Sequence, residues 1–171
     1  MKKFVLSAVS VAVLAASAPA FATYFGPHSA RCEGGESSVI VNVTGFRVRT
    51  GRLRVQLYEA DPRTFLERGQ YLHRIDVPVS PSGDMPVCVP VPRAGRYAVS
   101  VRHDANGNGD NDRADGGGFS GNPRVSIFDL ALHRKPNLTQ VGFNVASAPV
   151  RTNVVLNYVQ GTSFRPIERT R

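Results

Sequence analysis

Residues 103–115 read HDANGNGDNDRAD. Asp104, Asn106, Asn108, Asp110, Asp112 and Asp115 bring six oxygen-bearing side chains into this run, and residues of these types are seldom buried. Oxygen donors at this density suit a hard cation. Counted from Asp104, they fall at positions one, three, five, seven, nine and twelve, with Gly109 at six. This is the ligand spacing of the twelve-residue calcium loop, with Asp115 in place of the usual closing Glu. Alternate residues of a tight coil aim oxygens at one point, and the glycine takes the backbone through the sharp turn. Position seven serves through its backbone carbonyl, so the Asp110 side chain is not required. Calcium accepts about six to eight oxygens in flexible geometry, whereas magnesium demands a strict octahedron. Zinc prefers His and Cys, of which His103 alone adjoins the run. Without a cation Asp104, Asp112 and Asp115 would repel one another. Asp115 is shorter than Glu, so the expected affinity is weak, about 0.1–1 mM. The competing reading is a structural turn, because Asn-Gly and Asp residues readily bond their own backbone.

The segments that must hold this loop have the period of β-strands. YAVSVRH (97–103) enters it with Tyr97, Val99 and Val101 toward the core, and glycines 116–118 leave it. The flanks therefore differ from the helices of an EF-hand; only the loop chemistry is shared. SVIVNVT and LRVQL show the same alternation through Val39, Val41 and Val43 and through Leu53, Val55 and Leu57. Arg47, Arg49, Arg52 and Arg54 are expected on one wet face, with no aromatic residue among them for stacking on bases. Pro78, Pro86 and Pro90 push HRIDVPV and MPVCVPV toward sheet edges. DPRTFLERGQYL (61–72) reads as a loop or single helical turn capped by Asp61. VGFNVAS and TNVVLNYV read as two closing strands. Six to eight short strands with almost no helix imply an all-β sandwich or barrel, a single β-sandwich of about seven strands over 38–160. Residues 23–37 form an N-terminal segment, and 161–171 are expected to fray.

The chain opens with Lys2 and Lys3, an apolar run over 4–16 and the small-x-small sequence Ala20-Phe21-Ala22. That is the pattern of a cleaved signal peptide over 1–22, the run being short against the roughly 20 residues of a spanning helix. An uncleaved anchor is the alternative. The expected location is periplasmic or secreted. In an oxidising compartment Cys32 and Cys88, the only cysteines, are expected to pair with each other; two free thiols or an intermolecular bridge remain open. The formal net charge is +8, and Lys135 is the only lysine beyond Lys3. A positive body favours anionic partners such as lipid headgroups or polysaccharide; nucleic acid is not expected.

Several of these residues carry a family likeness. Gly95, Tyr97, Ala98, His103, Asp104, Asn106, Asn108, Gly109 and Asp112, then Gly118, Phe119, Ser120 and Asn122, then Phe128 and Ala131, resemble the pattern of the secreted bacterial proteins grouped as domain of unknown function 2141. Gly121 replaces an asparagine of that pattern, and the piece between the first two motifs is shortened here to ADGGG. The resemblance implies an exported β-sandwich similar to transthyretin-like or immunoglobulin-like modules, and it implies no established activity.

Catalytic signatures are missing from the sequence. There is no G-x-S-x-G, and the four histidines are scattered. A transthyretin-like hydrolase would need a terminal Tyr-Arg-Gly-Ser, where this chain ends IERTR. A self-crosslinking isopeptide domain would need a lysine in a core strand, and Lys135 precedes Pro136 in a polar stretch. The chain therefore reads as a non-catalytic envelope module with a calcium-binding loop and an unknown protein or glycan as partner. The alternative is a small-ligand carrier or enzyme with its site beside His103 and the Gly116–Asn122 segment, where His103, Phe119, Ser120 and Asn122 would face the ligand.

Overall fold

In the computed structural model the structure describes residues 23–167, so the expected signal peptide lies outside the described residues. The fold is a β-sandwich. Its smaller sheet contains β1 (Ser38–Thr44), β4 (Met85–Pro90) and β8 (Val150–Val155) in the order β4-β1-β8. β1 runs antiparallel to β4 and parallel to β8. The larger sheet contains β2 (Arg52–Glu59), β3 (His73–Pro78), β5 (Gly95–Asp104), β6 (Gly116–Phe119), β7 (Phe143–Val145), β9 (Asn157–Gln160) and β10 (Ser163–Pro166). Its order is β10-β9-β6-β5-β2-β3, and β7 pairs with the start of β5. The proline-bearing strands β3 and β4 are both edges, where a missing N–H breaks no ladder.

Alternating apolar residues of both sheets form the core. Val39, Val41 and Val43 meet Leu53, Val55, Leu57, Val99 and Val101, and all are buried. A second, smaller cluster lies on the outer face of the larger sheet. There Tyr58 and Ala98 are covered by Phe65 from the 61–72 loop and by Val141 from α3 (Leu138–Val141). Asp61 organises that loop, its backbone oxygen accepting from the Phe65 amide at 2.9 Å. The cover stops short of the β5–β6 end of this face, and the acidic loop emerges there. Cys32, in α1 (Ser29–Glu33), is bonded to Cys88 of β4 with the Cα atoms 6.0 Å apart. The expected pairing is therefore present.

Ten strands replace the expected seven because the additions are short. TNVVLNYV is two strands, not one: β8 lies in the smaller sheet, and the chain crosses at Leu156 to β9 in the larger. Val154, Leu156 and Tyr158 all stay buried, so the inward period continues across the change of partner. Residues 163–166, expected to fray, pair with β9 as a hairpin. Arg47 and Arg49 do not share a wet strand face with Arg52 and Arg54. Residues 45–51 are irregular, and the two guanidinium groups lie over the rings of Tyr158 and Phe46 at 4.6 and 4.5 Å. No helix among the described residues is long and apolar enough to cross a membrane.

Candidate functional site

The acidic run is the hairpin loop between β5 and β6, and its base is the pairing of His103 with Gly116. Gly116 faces inward beneath Tyr158, where an added Cβ would lie 2.4 Å from the ring. The side chain of Tyr158 is held in turn. His103 is fully buried, and its Nε2–H donates to the Thr50 carbonyl at 2.9 Å. That bond fixes the tautomer, so Nδ1 accepts from the Tyr158 hydroxyl at 2.7 Å. The Arg47 amide donates to the same hydroxyl oxygen at 3.2 Å. Burial pushes the His103 pKa down and the Tyr158 pKa up, which keeps both neutral. Arg47 also reaches the loop, donating through Nη2 to the carbonyls of Ala114 and Arg113.

Within the loop, Asp104 accepts from the Gly107 amide at 2.8 Å and the Gly109 amide at 3.0 Å. The Asn106 oxygen accepts from the Asn108 amide at 3.2 Å, and the Asn108 oxygen from the Asp110 amide at 2.9 Å. Position six therefore bonds to one, five to three and seven to five. Gly109 has φ 85°, the left-handed conformation that its sharp turn requires. Both asparagine Nδ2 groups donate to Asp112 Oδ2, at 2.7 and 3.1 Å. These bonds, led by the one from the Ala114 amide to Oδ1, lower the Asp112 pKa. Asp110 is exposed and contributes its amide to the turn.

The loop thus has two clusters of oxygens. Asn106, Asn108 and Asp112 meet at the tip. Asp104 and Asp115 lie at the base, both buried, on either side of Arg102. Arg102 Nη2 is 3.3 Å from Asp104 Oδ2, and its Nε is 3.9 Å from Asp115 Oδ2. Asp115 Oδ1 accepts from the Ala105 amide at 3.1 Å. Arg102 Nε, Arg102 Nη2 and Asp115 Oδ2 are buried without a hydrogen-bond partner. Among the described residues no group of three His, Cys, Asp or Glu side chains comes together to hold a metal.

Two hollows lie beside the site. A cleft of about 520 Å³ over the outer face of β5 and β6 is bordered by Arg102, Asp112, Asp115, Gly117, Phe119 and Leu130. A groove of about 700 Å³ runs between Asn122–Asp129 and β10. Of the four residues expected to face a ligand, Phe119 borders the cleft and Asn122 the groove. The other two are corrected. His103 has no exposed surface and both ring nitrogens engaged. Ser120 is equally buried: its hydroxyl donates to the Val141 carbonyl at 2.6 Å and accepts from the Val99 amide at 2.9 Å. Each faces inward because it ties two elements together.

Sequence reasoning missed Arg102 and Arg47, the two cations against the loop. Arg102 alternates out of phase with Val101 and His103, a signal that it lies on the face from which Asp104 also projects.

With this geometry in place, the family can be stated. The chain belongs to the DUF2141 family, described as an uncharacterized protein conserved in bacteria. The match covers residues 41–153, which run from within β1 through the whole acidic loop into β8. Searches among curated proteins and among solved structures return no match. The DUF2141 pattern therefore carries the likeness in sequence, and the sandwich carries the site.

Proposed function

We propose that this DUF2141 protein is a non-catalytic, exported module of the bacterial cell envelope. Its β5–β6 loop takes up calcium and so fixes the surface presented to a partner protein or glycan. The observation that carries this reading is the hydrogen-bond ladder of the loop, six to one, five to three and seven to five, on a D-x-N-x-N-G sequence. That ladder leaves the side-chain oxygens of Asp104, Asn106 and Asn108 with lone pairs to spare, since each such oxygen has two. The donor set suits the ion: hard, neutral or anionic oxygens, with Asp115 Oδ2 buried and lacking a hydrogen bond. Arg102 acts as the resident counter-ion when no metal is present. The two oxygen clusters stand apart, so uptake requires the loop to rearrange, which is consistent with affinity in the weak range of about 0.1–1 mM. Export is supported by the leader-like start of the chain and by the disulfide.

Thermal unfolding of the purified protein in chelator and in millimolar calcium tests the reading. A calcium-dependent rise in melting temperature that is lost in Asp112→Asn supports it. Asp112 is exposed, so this substitution leaves the sandwich intact.

A small-ligand carrier is favoured by one observation, the cleft of about 520 Å³ beside Gly116–Phe119, a size typical of ligand sites at about 300–1,000 Å³. In that reading Gly117→Leu fills the cleft and abolishes ligand-induced stabilisation while the melting temperature of the free protein stays unchanged.

A further inference from the structure

The segment from Asn122 to Asn137 bows out from the sandwich between two fixed ends. At its start Asn122, at φ 49°, donates to the Asn153 carbonyl at 3.1 Å and accepts from the Val155 amide at 2.8 Å. At its end the Asn137 side chain caps α3. Between them, a capping box formed by Ser126 and Asp129 starts the short helix α2 (Ile127–Ala131), and His133, at φ 52°, follows its end. None of the five residues of α2 is buried. Phe128, Leu130 and Leu132 are 76, 40 and 59% exposed, three of the five exposed large hydrophobic residues among those described. Scattered single apolar residues are ordinary on a surface, but three in five positions on a segment built to project are not.

The charges around them are unequal. Arg124, Arg134 and Lys135 stand against Asp129 and Glu67. Arg134 and Lys135 meet those two acids in exposed ion pairs, which hold a cation only weakly. Arg124 borders the same groove as Phe128. An apolar tip with a basic collar matches one kind of surface: acyl chains beneath a layer of phosphates.

We infer that the 122–137 arch is a membrane-docking element. It inserts Phe128, Leu130 and Leu132 into the interfacial region of an anionic phospholipid bilayer, and Arg124, Arg134 and Lys135 engage the headgroup phosphates. The test is run in chelator, which keeps its outcome separate from calcium uptake by the β5–β6 loop, whose Asp112 and Asp115 border the same cleft as Leu130.

The purified protein is sedimented with vesicles of equal parts phosphatidylglycerol and phosphatidylcholine, and with vesicles of phosphatidylcholine alone. The expected result is binding to the anionic vesicles that weakens with salt, with each of Arg124→Gln and Arg134→Gln lowering affinity about fivefold. Phe128→Ser combined with Leu132→Ser lowers it about a hundredfold and leaves the melting temperature unchanged, because both side chains are already exposed. Equal binding to both vesicle types, no binding to either, or full binding by the double variant overturns the inference. So does concentration-dependent dimerisation without lipid that the double variant abolishes, since the patch is then an interface between copies.

Discussion

Replacing Arg102 with methionine keeps the stem that packs on the outer face of β5 and removes the one cation between Asp104 and Asp115. At 3.3 and 3.9 Å the two attractions amount to about 5 and 4 kcal/mol for an effective dielectric constant near 20. Desolvation of the guanidinium offsets several kcal/mol of this, and losing one partner of a buried pair typically costs about 3–5 kcal/mol. Nε and Nη2 make no hydrogen bond, so the low end applies, and the expected loss is about 3 kcal/mol. Urea denaturation in chelator reads this as a midpoint lower by about 1–2 M, at a slope of about 2 kcal/mol per molar. Calcium should then stabilise the variant more than the wild type, since the metal enters a carboxylate pair with no resident cation to oppose it. A variant as stable as wild type in chelator, or one that calcium stabilises no further than wild type, would refute the assignment of Arg102 as internal counter-ion.

Three further outcomes follow from the same contacts. Replacing Cys32 and Cys88 with serine opens a loop of sequence separation 56 and should lower stability by about 4 kcal/mol on the chain-entropy account, measured by equilibrium unfolding. His103 is held below its ordinary 6.5 by burial, with Arg47 acting the same way against Asp104 and Asp115. The unfolded chain therefore binds the extra proton as pH falls through 6.5, and stability declines from there down to the folded value. Asp112 acts only in its own window, below 3.8. His73 is also depressed, so the readout is the part of the slope that His103→Gln removes; an unchanged slope would contradict the buried neutral state. Gly116→Ala drives a methyl into the Tyr158 ring and should cost about 1–3 kcal/mol. Gly117→Ala, whose Cβ would have no neighbour nearer than 3.5 Å, should be close to neutral, and equal melting temperatures for the two would contradict the packing described.

Much of the sandwich was legible because one face of each strand is dry. Val39, Val41 and Val43, with Leu53, Val55 and Leu57, announce their burial by a period of two. The same period places His103 in the core, in phase with Tyr97, Val99 and Val101; its place next to the acidic loop suggested exposure instead. Periodicity reports which way a side chain points and not which strand lies beside it. Val154, Leu156 and Tyr158 therefore look like one strand although the chain changes sheets between them. The β10 hairpin is an edge with no dry face of its own, and nothing in its composition marks it. In the loop, the spacing fixed which oxygens are near one another along the chain. That Arg102 lies between Asp104 and Asp115 depends on the pairing of β5 with β6, which a linear pattern does not contain. The collar of Arg124, Arg134 and Lys135 was visible only as net charge until the arch placed it around Phe128.

Calcium titration of the metal-free protein, followed by both heat and melting temperature, tests the central claim most directly. With a dissociation constant of about 0.1–1 mM, 10 mM calcium should stabilise the fold by about 1.4–2.7 kcal/mol. Asp112→Asn should remove the effect, and magnesium at the same concentration should give less. A protein whose melting temperature and titration heat are indifferent to calcium would contradict the account, and the β5–β6 loop would then be a turn neutralised by Arg102 alone.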